Sequence, residues 1–302
     1  MENNCVLVKL SPEISLKTNY VRGYFLTKLI SNIKQVVRAK KLSGNRIVRG
    51  GGRLYIFPKD KQKVMGLCLA LKGVFGVSFV APCKLVLSKS RSEIMDAALS
   101  VALDFIKPGD TFAVRLKNTL EKSFSSREFE ATLGSKIISK IKNLKVNLDN
   151  PGKKLSIEVG PKGCFLYVEE IQGLAGLPLG CEGNVAVFFE GKKEELAAAF
   201  LMMKRGCNIF PVSTNFSTEL KVHVNKLVKF NSFRSFKFST LDELDELVSK
   251  KDISVKAIVF SNDSYSKQLS EQKQNFSLAV YWPLLFAPKG MLKETLVMID
   301  GD

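Results

Sequence analysis

Residues 188–207 read FFEGKKEELAAAFLMMKRGC: the end of an apolar strand, a turn with one glycine, then a helix. In α/β proteins this layout points the free N–H groups of a helix start at an anion, which is how a phosphate is cradled. The residues filling the turn argue against that use. They are Glu190, Gly191, Lys192, Lys193, Glu194 and Glu195. A carboxylate about 4 Å from a phosphate costs about 4 kcal/mol at an effective dielectric of ~20. Lys192 and Lys193 offset part of this, but a lysine backbone cannot approach a ligand as closely as glycine allows. The simpler reading is that GKKEEL begins a helix, with glutamates favoured in its first turn by the helix dipole.

Other chemistries find little support. Six cysteines, at 5, 68, 83, 164, 181 and 207, lie far apart with no CxxC pair, and His223 is the single histidine. A Cys/His metal site is therefore not expected, and reduced, mostly buried thiols in a cytoplasmic protein are. No Ser/His/Asp arrangement can be assembled around His223, whose setting KVHVNKL suits surface or packing. The acids of LDELDELV (241–248) fit a solvated helix face. No catalytic residue and no metal ligand is expected.

Charge is the strongest signal. Residues 1–174 carry 30 Lys and Arg against 14 Asp and Glu, whereas residues 175–302 carry 16 against 15. A basic module joined to a near-neutral one implies nucleic-acid binding by the first. Lys17, Arg22, Arg46, Arg49 and Arg53 lie in a stretch with no acid between Glu13 and Asp60. On FAVRLK (112–117), Arg115 and Lys117 share the face opposite Phe112, Val114 and Leu116 if the alternation holds. Tyr20, Tyr24 and Phe25 are of a type that stacks on bases, though core packing is the expected role. No apolar run is long enough to span a bilayer, and MENNCVLVKL lacks the pattern of a secretory signal.

These groups need elements to position them. CVLVKL (5–10), an amphipathic stretch through Val37, RIVRGGGRLYIF (46–57), a helix near 60–72 and VFGVSFVA (74–81) give the order βαββαβ of a ferredoxin-like unit. A helix over 92–106 with Ser92 as cap, a strand over 110–117, a helix over 125–142 and a hairpin about Pro161-Lys162-Gly163 follow. GLAGLPLGCEG (173–183) is the best linker candidate. Beyond it, NVAVFF, CNIFPV, SFKFS, VKAIVF and SLAVYWPLLF alternate with helices at 192–205, 217–230 and 240–251. That pattern implies a parallel, doubly wound, Rossmann-like sheet. The domains expected are 1–82, 83–172 and 173–302, an α/β and α+β multidomain chain.

PEISLKTNYVRGYFLTKLISNIK (12–34) resembles the opening of the tRNA 4-thiouridine sulfurtransferases. FAVRLK followed by SSREFEATLGSKI (125–137) resembles that family's THUMP domain. GLPLGCEGNVAVFFEG (176–191), AAFLMMKRGCNIFPV (198–212) and YWPLLFAPK (281–289) resemble its catalytic domain, with Trp282 where the family usually has Arg. The resemblance implies a ferredoxin-like and a THUMP domain that bind the acceptor stem and 3′ end of tRNA, with Arg127 joining the basic residues above. It also implies a C-terminal PP-loop domain that activates uridine 8 with ATP.

The family's loop reads Ser-Gly-Gly-x-Asp-Ser, and in register with it only Gly191 matches. The family's late catalytic cysteine has no counterpart after Cys207, and no rhodanese-like segment is read in the sequence. The expectation is a tRNA-binding protein of tRNA modification with a degenerate loop. It would hold no cofactor, and would work with a separate modifying enzyme or sulfur donor, or as a homodimer. The alternative is an active sulfurtransferase that uses ATP and magnesium at a divergent site.

Overall fold

The computed structural model describes residues 3–50, 52–88, 90–118, 125–160, 162–249, 254–262, 276–288 and 290–301. Gly51 and Pro161 of the two expected turns, Lys289, and the last two residues of the helix expected over 240–251 lie outside the described residues. The chain divides into two compact units. One comprises residues 1–10, 41–72 and 78–173; the other comprises 11–40, 73–77 and 174–302.

The first unit is built on a nine-stranded sheet. Strands β1 (Cys5–Leu10), β2 (Asn45–Gly50), β3 (Arg53–Pro58) and β4 (Val77–Val86) supply one half. Strands β5 (Thr111–Asn118), β6 (Lys145–Val146), β7 (Lys153–Gly160) and β8 (Gly163–Tyr167) supply the other, and β9 (Ile171–Gln172) pairs with β4. The order is β2-β3-β1-β4-β8-β7-β5-β6. The fourth strand is longer than the sequence suggests. It does not stop at Ala81 but runs on through Pro82, pairing with β9 at 79–80 and with β8 at 84–86.

One face of this sheet encloses Cys5, Leu7, Tyr55, Phe79, Cys83, Phe165 and Tyr167. Tyr55 stacks on Phe165 with ring centroids 4.0 Å apart. Helix α3 (Val64–Leu71) lies in this unit, and helices α4 (Arg91–Phe105) and α5 (Ser126–Lys140) pack Ile94, Ala98, Phe129, Leu133 and Ile137 over Phe112, Val114, Leu155 and Ile157. The α4 cap position is held by Ser90 rather than Ser92, whereas Ser125 caps α5 by accepting the Glu128 N–H.

The second unit holds a five-stranded parallel sheet of β10 (Asn184–Phe188), β11 (Asn208–Ser213), β12 (Ser239–Thr240), β13 (Val255–Val259) and β14 (Ala279–Tyr281). Its order, β12-β11-β10-β13-β14, is doubly wound. Around it lie α6 (Lys193–Lys204), α7 (Thr218–Asn225), α8 (Leu244–Ser249) and α9 (Met291–Asp300). The SFKFS strand reduces to the two residues of β12, because Phe236 is spent on the core and Phe238 on Phe216. Helices α1 (Pro12–Ser15) and α2 (Asn19–Ala39) also belong to this unit, tied by Asn32, whose buried amide donates to the Leu179 carbonyl at 3.0 Å.

The glycine-rich stretch from 174 to 183 is a docked strap rather than a loose linker. Leu177 N–H donates to the Lys204 carbonyl, and Gly180 and Glu182 N–H donate to that of Gly206. Gly176 sits at φ +74°, and a Cβ there would lie 2.4 Å from the Lys204 carbonyl oxygen. Gly176→Ala is expected to cost about 2–4 kcal/mol by strain and overlap, seen as a melting point lower by several degrees. An unchanged melting point would mean that the strap is not held.

Candidate functional site

In a doubly wound sheet a ligand is expected beyond the carboxyl ends of the strands where the order reverses, between β10 and β13. The loop that leaves β10 there is residues 189–192. Gly191 adopts φ +106°, with nothing within 4 Å of a Cβ placed on it, so conformation rather than space makes glycine useful at this position. The turn gathers the N–H groups of Glu190, Gly191 and Lys192 onto one point. That point is occupied by the chain itself: Glu195 Oε2 accepts all three, at 2.9, 2.9 and 3.0 Å.

Glu195 is the third residue of α6, and its carboxylate reaches back past the N-cap as the acidic half of a capping box. It is buried to 2% exposure. Lys192 Nζ pairs with Glu190 at 2.7 Å on the outer side of the turn, which raises the lysine's pKa. The imidazole Nε2 of His223 lies 3.2 Å from the Lys192 carbonyl. Sequence reasoning gave that histidine no part in the loop, and no local signal links positions 31 residues apart. Lys193 rims an open groove of about 530 Å³ floored by Leu292, Leu296 and Val297 of α9, whose Asp300 pairs with Lys226.

Burial pushes the Glu195 carboxyl above its ordinary range, against the pull of the three N–H donors, and the Glu190 charge adds to the rise. The folded chain thus binds this proton more tightly than the unfolded one. The contribution is complete below the ordinary glutamate range and is lost as pH rises through the raised folded value. Glu195→Gln keeps an oxygen acceptor but cannot titrate. Denaturation midpoints measured from acid to neutral pH are expected to fall less steeply in this variant than in wild type. Parallel curves would show that Glu195 does not titrate as described.

The thiols are quiet. All six cysteines are free and five are buried. Burial raises Cys207 to about 11 and Cys181, Cys164 and Cys68 to about 12, so none of these four is primed as a nucleophile at neutral pH. Among the described residues no group of three or more His, Cys, Asp or Glu could hold a metal ion. No described helix is long and apolar enough to cross a membrane.

The eight basic candidates are divided between the two units. In the first, Arg46 and Arg49 are exposed on β2 at the sheet edge, with Arg46 over the Phe57 ring at 4.7 Å. Arg53 on β3 reaches Glu158 on β7 at 3.1 Å, with both side chains 13% exposed. Lys117, exposed on β5, stands opposite Glu158 in the register of β5 and β7. The β5 alternation holds from Val114 onward, but the Arg115 guanidinium is engaged by the carbonyls of Val114 and Leu148. Arg127 is exposed on the first turn of α5, next to Glu128, which pairs with Arg91 at 2.6 Å. In the second unit, Lys17 is exposed before α2, and Arg22 bonds the Asn19 side chain.

Two family models match the first half of the chain: the ThiI ferredoxin-like domain over residues 5–81 and the THUMP domain over residues 88–169. The chain thus carries a ThiI ferredoxin-like domain and a THUMP domain. Among the curated relatives, a "Probable tRNA sulfurtransferase" of Methanobrevibacter smithii is 34% identical over 232 residues, covering 74% of this chain and 58% of that protein. The tRNA sulfurtransferase of Blochmanniella pennsylvanica is 28% identical over 244 residues, 78% of this chain and 50% of its own. The chain thus spans about half the length of the curated relatives it matches.

Two solved structures superpose along almost the whole chain. PH1313 of Pyrococcus horikoshii does so with a TM-score of 0.81 at 23% identity, covering 99% of this chain and 100% of that one. A 4-thiouridine synthetase solved with RNA and bound ATP gives 0.77 at 22%, covering 99% and 85%. Both likenesses show the fold described above, within which the two family models mark the ferredoxin-like and THUMP domains.

Proposed function

We propose that this ThiI-type chain is a tRNA-binding protein of tRNA modification whose ATP loop has been closed from within. The observation that carries the proposal is the Glu195 carboxylate on the amides of residues 190–192. A nucleotide phosphate would need those donors, and would approach an anion already seated on them. The raised pKa of the Cys207 and Cys181 thiols supports a chain that does not itself carry out sulfur transfer. The RNA bound by the related synthetase carries over to this chain on this reading: a THUMP domain is present, and the excess basic charge lies in residues 1–174. On this reading the segment 173–302 serves as scaffold or docking surface, ATP and magnesium are not cofactors, and a separate enzyme or sulfur donor completes the chemistry on tRNA in the cytoplasm. Homodimer formation is compatible with this role.

Calorimetry of ATP with magnesium, in the presence and absence of tRNA, tests the proposal. No saturable heat is expected from ATP. Binding of tRNA is expected to weaken steeply with salt, with a logarithmic slope of about −0.9 per phosphate contacted in duplex. Micromolar ATP binding would overturn the closed-loop reading and favour an active adenylating sulfurtransferase.

A further inference from the structure

Helix α2 carries two tyrosines that the fold does not use. Tyr20 is 89% exposed and Tyr24 is 46% exposed, whereas Phe25, the third aromatic of the stretch, is buried. Leu16, just ahead of them, is 86% exposed. Tyr20 and Tyr24 are four residues apart, so they lie on one face of the helix with Cβ atoms about 5–6 Å apart. Lys28, one turn further on, holds its ammonium 5.6 Å from the Tyr24 ring centre, and the Phe25 ring lies 6.0 Å from it, tilted by 50°, yet nearly half of Tyr24 stays exposed. The first turn of α2 contains no acid, and its N-cap Thr18 makes no side-chain cap bond. Lys17 and Arg22 flank the pair, and no Asp or Glu occurs between Glu13 and Asp60.

We infer that Tyr20 and Tyr24 form a stacking platform for unpaired RNA bases, with Lys17, Arg22 and Lys28 holding the adjoining phosphates. The inference rests on the RNA-binding reading above and gives it a specific contact. The occupant follows from the charge. Aromatic rings set in an acid-free basic surface match a polyanion whose bases present flat π faces. A second copy of the chain fits poorly, because an isologous contact would press this cationic face against its own equivalent. Bases held in a duplex already stack on their neighbours, so the platform selects nucleotides that are unpaired.

The test uses the full chain and two probes, a blunt RNA duplex and the same duplex with unpaired extensions at both ends. Wild type is expected to bind the extended probe more tightly. Tyr20→Ala and Tyr24→Ala are each expected to weaken binding of the extended probe about tenfold while leaving the blunt duplex and the melting temperature unchanged. Tyr20→Phe and Tyr24→Phe keep a flat ring and are expected to bind like wild type. Three results overturn the platform while RNA binding itself stands: alanine variants that bind both probes normally, equal losses on both probes, or a loss in the phenylalanine variants. Failure of wild type to bind either probe overturns the RNA-binding reading, and the platform with it.

Discussion

Glu195→Ala is expected to destabilise the protein by about 2–4 kcal/mol, a drop of roughly 5–10 °C in melting temperature. Three backbone N–H groups lose their only described acceptor at once. An unsatisfied buried donor costs about 1–3 kcal/mol, but Gly191 and Lys192 are exposed, so water re-solvates part of the loop and the total stays below the sum. The vacated amides then form an anion cradle at the start of a helix. Millimolar orthophosphate should raise the melting temperature of the alanine variant while leaving wild type unmoved. An alanine variant as stable as wild type would show that Glu195 does not hold the loop.

The second large effect is expected at Glu158. Its Oε1 accepts from the Arg53 guanidinium at 3.1 Å and from the Tyr167 hydroxyl at 3.0 Å. Burial, and then the Glu158 charge, raise Tyr55 to about 12 and Tyr167 further still. Removing one partner of a mostly buried pair strands the other charge, at a cost of about 3–5 kcal/mol when fully enclosed. At 13% exposure the lower end applies, so Glu158→Ala should cost about 3 kcal/mol by denaturant unfolding. Glu158→Gln, which keeps an acceptor for Tyr167 and Arg53, should cost clearly less. RNA affinity distinguishes the roles of Arg53. If the arginine is structural, Glu158→Ala lowers stability without strengthening RNA binding; a gain in affinity would mean that a freed Arg53 touches RNA.

Much of the fold was legible because its signals are local. The βαββαβ order followed from alternating apolar residues and the glycine turn, and the cap of α5 is a serine three residues ahead of its glutamate. The parallel sheet followed from short apolar strands between amphipathic helices. Elsewhere, long-range contacts decided the outcome. Pro82 reads as a strand end, yet β4 passes through it because the strand changes partners there, from β9 to β8. SFKFS alternates like a strand, but its phenylalanines are drawn into the core and only Ser239 and Thr240 pair.

At the site, the helix-start reading of GKKEEL was legible from the glutamates in its first turn. The reach of Glu195 to three amides was not, since it depends on the left-handed Gly191. Arg53 looked like any other member of a basic run. Its partner is 105 residues away, beyond any spacing rule. The same holds for the strap at 174–183, whose glycines suggest freedom and instead permit close contact.

The continuous β4 strand has a consequence for how the molecule comes apart. The ferredoxin-like match ends inside it, at residue 81, and the strand runs on unbroken to Val86, two residues short of the THUMP match at 88, pairing with β8 of that module. Two recognisable modules therefore share a single backbone ribbon, and severing the chain between residues 82 and 83 would leave each half with an open edge where its neighbour had been. The boundary that inheritance drew and the boundary that unfolding respects need not coincide. These modules should melt as one transition, and a THUMP segment prepared alone should be soluble only if β4 goes with it.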